Sequence, residues 1–225
     1  MPKKEKYTTL PAVIDVETTG LFPAKNDIIE IAVVIYDPET LRPTTQRFHK
    51  YVKPDPSKEI DQEALNINHI DLDSIPEENT QEKIAKKLIH WISEQGTGKI
   101  KLKPLGHNYI VFDILFLKEW LGANIYDENF HYRTTDTCQI ARVLKDANIL
   151  PIGSCSLKSI SEYYGIPKPP HNALEDALTT LDIYAYLLNE LHPTAEFRRG
   201  LKYYLNILPN WIINTWNSKF TGAQE

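Results

Sequence analysis

An apolar run in "LPAVIDVE", residues 10–17, interrupted near its end by Asp15 and followed by Glu17, predicts a strand ended by Thr18-Thr19-Gly20. "DIIEIAVVIYD", 27–37, is apolar at both alternating sets of positions: Ile29, Ile31, Val33 and Ile35 against Ile28, Ala32, Val34 and Tyr36. That pattern belongs to a central strand covered on two sides. "TTQRFHKYVKP" alternates more weakly after the turn-rich "DPETLRP", so three strands with short connections predict an antiparallel meander.

The period then changes. "ENTQEKIAKKLIHWISEQG" spaces Ile84, Leu88, Trp91 and Ile92 as a helix does, with Gly96 as its stop. "KIKLKPLGHN" predicts a fourth strand delivering the chain to Asn108, and "YIVFDILFLKEWLG" a mostly apolar helix closed by Gly122. "RTTDTCQIARVLKD" reads as a short strand running into a helix, and "SLKSISEYYGI" as a short helix ending at Gly165. Beyond the Pro-rich "IPKPPH", a long helix over 172–191 carries Leu174, Ala177, Leu178, Leu181, Ala185 and Leu188 on one side. This order predicts an α/β fold, a mixed sheet packed between helices. The main domain is expected over 7–190. Residues 191–225, rich in aromatics and broken at Pro209, predict a helical extension. Its Trp211, Ile212 and Trp216 either pack on the domain or offer an apolar patch to a polymerase or a second copy.

With 42% of 225 residues hydrophobic, the chain can close one sizeable core. "MPKKEKYTTL" lacks an apolar h-region, and the longest apolar run, "IIEIAVVIY", is too short to span a bilayer. Cys138 and Cys155 form neither a disulfide framework nor a zinc-like spacing. A reducing cytoplasmic compartment, with no membrane partner, is the expectation. The net charge of -5 argues at first against nucleic acid, since phosphate binders are usually basic. Two divalent cations would bring -5 to -1 and put the added charge where a phosphate can use it. The clusters Lys3-Lys4-Lys6, Lys99-Lys101-Lys103 and Arg198-Arg199-Lys202 read as solvated surface charges.

Candidate chemistry lies in awkward carboxylates. Residues i and i+2 of a strand share a face, so Asp15 and Glu17 stand side by side at the end of a buried element. Such a pair is costly unless a cation sits between the carboxylates or one takes up a proton. Asp113, at helical spacing from Tyr109, Phe116, Leu117 and Trp120, faces the interior. Either a backbone amide satisfies it, as in a cap, or it joins other acids. Asp176 lies at the margin of the last helix's apolar stripe, five residues after His171. The two converge if His171 sits in the loop before that helix, as Pro169-Pro170 suggests.

"DVETTG", "HNYIVFD" and "HNALEDA" resemble, in order and separation, the three exonuclease motifs of the DEDD superfamily. His five residues before the last Asp resembles its DEDDh, DnaQ-like branch; the sister branch has Tyr where this chain has Asn172. The resemblance spans roughly residues 7–190 and implies a ribonuclease H-like fold, an antiparallel meander extended by parallel strands and flanked by helices. It also implies that Asp15, Glu17, Asp113 and Asp176 hold two Mg²⁺ or Mn²⁺ ions, hard cations that prefer carboxylate oxygens. His171 would be the general base, able to take a proton from the attacking water near neutral pH. Thr18, Thr19, Gly20 and Leu21 would line the pocket of the 3′-terminal nucleotide, with Phe22 either stacking or packing in the core. Asn108 would bond the phosphate or brace its loop. His107, Glu30 and Glu175 take structural readings.

The activity so implied is 3′→5′ hydrolysis releasing nucleoside 5′-monophosphates from a single-stranded or frayed 3′ end. DNA is the first expectation, on the likeness of "ETTGL" to proofreading domains. Two alternatives stand: an exoribonuclease resembling RNase T, and a non-catalytic binding module on the same fold.

Overall fold

The computed structural model describes residues 7–167 and 171–191. The meander forms as the alternation predicts: β1 (Thr8–Thr18), β2 (Ile28–Asp37) and β3 (Arg42–Tyr51) pair antiparallel. β4 (Ile100–Gly106) and the short β5 (Thr135–Asp136) add on in parallel, giving the order β3-β2-β1-β4-β5. β2 is buried from Ile28 to Tyr36, as its two apolar faces require.

Among the described residues seven α-helices accompany the sheet: α1 (Gln62–Asn68), α2 (Gln81–Ser93), α3 (Asp113–Leu121), α4 (Ala123–Asn129), α5 (Thr137–Asp146), α6 (Leu157–Tyr164) and α7 (Ala173–Leu191). The alternation of β1 assigns them to its faces. Ile14 and Val16 join Ile31, Val33 and Ile35 in a core covered by Ile84, Leu88 and Ile92 of α2 and by Phe116 and Leu117 of α3. Val13 turns the other way, packing with Ala32, Val34 and Leu105 against Ala173, Ala177 and Leu181 of α7. Asp15 and Glu17 share the face of Val13, so β1 runs its acids out under the start of α7.

Two expectations are revised. The helix predicted over "YIVFDILFLKEWLG" begins only at Asp113: Asn108 adopts a left-handed φ of 63°, and residues 109–112 form turns. Tyr109 is buried, but from that loop rather than from a helix face. α2 ends at Ser93, ahead of Gly96. The helices α1 and α4, with no strong apolar period, were not foreseen. The extension predicted over 191–225, with Trp211, Ile212 and Trp216, lies outside the described residues from 192 onward, as do Pro169-Pro170.

Candidate active site

The site forms where β1 outruns β4. Parallel pairing ends at Val13↔Leu105, so on that side the sheet no longer occupies the backbone of β1 beyond it. The N–H of Val16, between the two acids of the first motif, donates instead to Asp113 Oδ1 at 3.1 Å. Asp113 is the first residue of α3 and 3% exposed. A backbone amide satisfies it, not as a cap of its own helix but from the strand that carries Asp15 and Glu17.

From the other face, the first turn of α7 brings Asp176. One carboxylate oxygen from each of Asp15, Glu17 and Asp176 falls within 4.8 Å of the others. Between β1 and β2 the register slips just after Glu17, an irregularity that re-aims side chains at the strand's end.

The electrostatics follow from that crowding. Asp15 is raised well above the usual carboxylate range, by burial first and then by Asp113, Glu17 and Asp176. Burial, with Asp176, Glu30 and Asp113, pushes Glu17 up to about 8. Asp176 rises to about 7 through burial, Glu30 and Glu175. Burial also takes Asp113 up to about 7, opposed by hydrogen bonds from its own N–H and that of Val16. Asp176 Oδ1 is buried with no hydrogen-bond partner. A carboxyl group with an unpartnered buried oxygen, gathered with two further carboxylates, is a donor set suited to a hard divalent cation.

His171 precedes α7 in the loop position expected of it, with a left-handed φ of 53°. It lines a cleft of about 240 Å³ together with Asp15, Asp176, His107, Ser156 and Lys158. His107 is lowered to about 4 by burial, and its Nδ1 lies 2.9 Å from Thr137 Oγ1, in keeping with a structural role.

The first-motif loop sits at the rim. Thr18 Oγ1 donates to Gly20 O at 2.6 Å, and Thr19 Oγ1 donates to Glu59 O while accepting from Asp27 N. A Cβ on Gly20 would meet the Asn26 side chain at 2.5 Å, so the turn closes only around glycine. Beyond it Leu21 and Phe22 project outward, 68% and 65% exposed; Phe22 is therefore not a core residue. Asn108 is exposed too, its backbone N–H held by Asp136 Oδ1 at 3.1 Å.

Two acids gained importance that the sequence reading did not give them. Asp136 caps α5 and also accepts from the N–H groups of Asn108 and Ile110, fixing the loop that leads to Asp113. Its signal was the "TDT" just before a helical period. Glu30 is wholly buried in β2, opposite Glu17.

The family model for the RNase T exonucleases matches residues 12–184, a span that includes every one of these acids. The chain belongs to the RNase T exonuclease family. It is a 3′→5′ exonuclease of the DnaQ-like DEDD class on a ribonuclease H-like fold. Ribonuclease T of Haemophilus ducreyi is 27% identical over 197 residues, 84% of this chain and 89% of the relative. DNA polymerase III PolC-type of Thermotoga petrophila is 28% identical over 174 residues, covering 76% of this exonuclease but only 11% of that polymerase. Escherichia coli exonuclease I in complex with a dT13 oligonucleotide shares the fold, with a TM-score of 0.66 and 18% identity over 87% of this chain. This exonuclease spans 43% of that enzyme's chain. No helix among the described residues is long and apolar enough to cross a membrane.

Proposed function

We propose that this exonuclease depends on divalent metal ions and releases nucleoside 5′-monophosphates from single-stranded 3′ ends of DNA. The observation that carries the reading is the convergence of Asp15, Glu17 and Asp176, with a buried oxygen of Asp176 left without a partner. These three would hold Mg²⁺ or Mn²⁺, with Asp113 serving a second ion from beside them. When bound, such ions neutralise a phosphodiester's charge and make water a nucleophile at neutral pH. His171, from its loop over the same cleft, takes the proton from the attacking water. Lys158, at the cleft's edge, adds the positive charge that a scissile phosphate meets on entry. Leu21 and Phe22 give the terminal base an apolar face, and the Thr18–Gly20 turn sets their position.

The DNA reading rests on the likeness of the first-motif loop to proofreading domains, and the PolC-type relatives and the dT13-bound neighbour agree with it. An exoribonuclease reading is favoured by one observation: relatives matched over almost their whole length are named Ribonuclease T. A gel assay with matched DNA and RNA oligonucleotides, labelled at either end, tests both. Laddering from the 3′ end in Mg²⁺ or Mn²⁺, abolished by EDTA, is expected; the strand shortened faster identifies the sugar. Undiminished trimming in EDTA would overturn the metal assignment.

A further inference from the structure

We propose that Glu30 is a positioning residue of this exonuclease, a buried carboxylate that clips the backbone carrying His171 to the sheet. The inference rests on the reading of His171 as the proton acceptor and adds a residue that acts through it.

Sheet formation gives no reason for an acid at this position. Ile28, Ile29, Ile31 and Ala32 around it are buried, and Glu30 itself is 0% exposed. Any branched apolar residue would serve a covered strand better, since a buried carboxylate is tolerated only when its oxygens are satisfied. Nor does Glu30 belong to the group of three carboxylates that suits a cation. Its oxygens are committed elsewhere. Oε1 accepts from Asn172 Nδ2 at 2.8 Å and lies 2.6 Å from His49 Nε2. Oε2 accepts from the backbone N–H of Ala173 at 3.1 Å.

Two of those donors are the residues that directly follow His171. Asn172 caps α7: its Oδ1 accepts from Glu175 N, and its backbone carbonyl accepts from Asp176 N at 2.9 Å. The same side chain therefore closes the helix with its oxygen and ties it to β2 with its nitrogen. His171 holds a φ of 53°, a left-handed conformation that residues with a Cβ disfavour. Such a conformation persists where the surrounding structure over-determines it. Here the constraint on the C-terminal side comes chiefly from Glu30, with Tyr51 Oη accepting from the same Asn172 Nδ2 at 3.3 Å, both more than a hundred residues away in sequence.

The clip touches no substrate atom, so its loss should show in turnover rather than in strand binding. Glu30→Gln keeps the shape but sets an amide NH₂ against the N–H donors of Asn172 or Ala173. Expected is a fall in kcat of about 10- to 100-fold, the usual scale for residues that orient an active group, with KM unchanged within about 2-fold. In a His171→Ala background the same substitution should cost at least about 5-fold less than in the wild type, because its effect runs through His171. Hydrogen exchange at the Ala173 amide should accelerate in Glu30→Gln without substrate present. A folded Glu30→Gln enzyme with kcat within about 2-fold of wild type, or an equal loss in both backgrounds, would overturn the proposal. Should Glu30→Gln not fold, Asn172→Asp, which keeps the capping oxygen for Glu175 N but loses the Nδ2 donor to Glu30, is read by the same cycle and decides by the same outcomes. A wild-type chain that trims no 3′ ends would instead sink the exonuclease reading, a result distinct from an active enzyme indifferent to Glu30.

Discussion

Asp15 meets Asp113, Glu17 and Asp176 in a crowded, buried group, and all four carboxylates are raised. Two consequences of opposite sign follow for Asp15→Asn. Turnover should fall by more than about 100-fold, the upper range for residues that merely orient a metal ligand. Thermal stability in EDTA should rise, because a like charge is removed from a crowded site; differential scanning fluorimetry and the gel assay, run on one preparation, check both. Leu21 makes the contrasting case. At 68% exposure it contributes little to the core. Leu21→Ala should leave the melting temperature nearly unchanged while raising KM about 3- to 10-fold, equivalent to about 0.7–1.4 kcal/mol of lost contact with the terminal base. An unchanged KM would remove Leu21 from the pocket.

Among the elements, the link from β5 into α5 holds the second motif. Asp136 accepts from Cys138 N and Gln139 N as a helix cap and from Asn108 N and Ile110 N across the fold. Asp136→Ala strips both sets, so urea unfolding should show a loss of about 2–4 kcal/mol, that of a cap plus buried donors left unpaired. Activity should drop with it, since the freed loop carries the chain to Asp113. The elements themselves were readable to different degrees. β1, β2 and α7 form over the spans that their patterns predict, but α7 also buries Ile183 and Leu187, outside the expected stripe, against Ala141, Leu144 and Ile160, while Leu188 stays half-buried. α3 starts late because the left-handed turn at Asn108 is fixed by Asp136, a contact that no local window contains.

Over the whole molecule, the acid cluster and His107 oppose each other in pH. The acids have folded pKa values raised to about 7 for Asp113 and Asp176 and about 8 for Glu17, so the folded state holds protons that the unfolded chain has already released. Stability is therefore lost as pH rises from near 4 towards 8. His107, lowered to about 4, is neutral in the fold, and its share is lost as pH falls below its ordinary 6.5. Between pH 6.5 and 8 the acids' share falls while that of His107 is close to complete. Metal-free protein should melt a few degrees lower at pH 8 than at pH 6.5, and Mg²⁺ at pH 8 should restore the loss; a flat profile in EDTA would contradict the clustering. What the sequence determined by itself was the alternation that builds the meander, the apolar stripe of α7 and the three motifs with their acids and histidine, because local period and residue type fix these. Only the tertiary structure decided that Asp113 binds the N–H between the first two acids, that Asp136 sets the start of α3, and that Glu30 faces Asn172 and Ala173. Each joins segments far apart in the chain, and such a juxtaposition exists only once the sheet and its covering helices have packed.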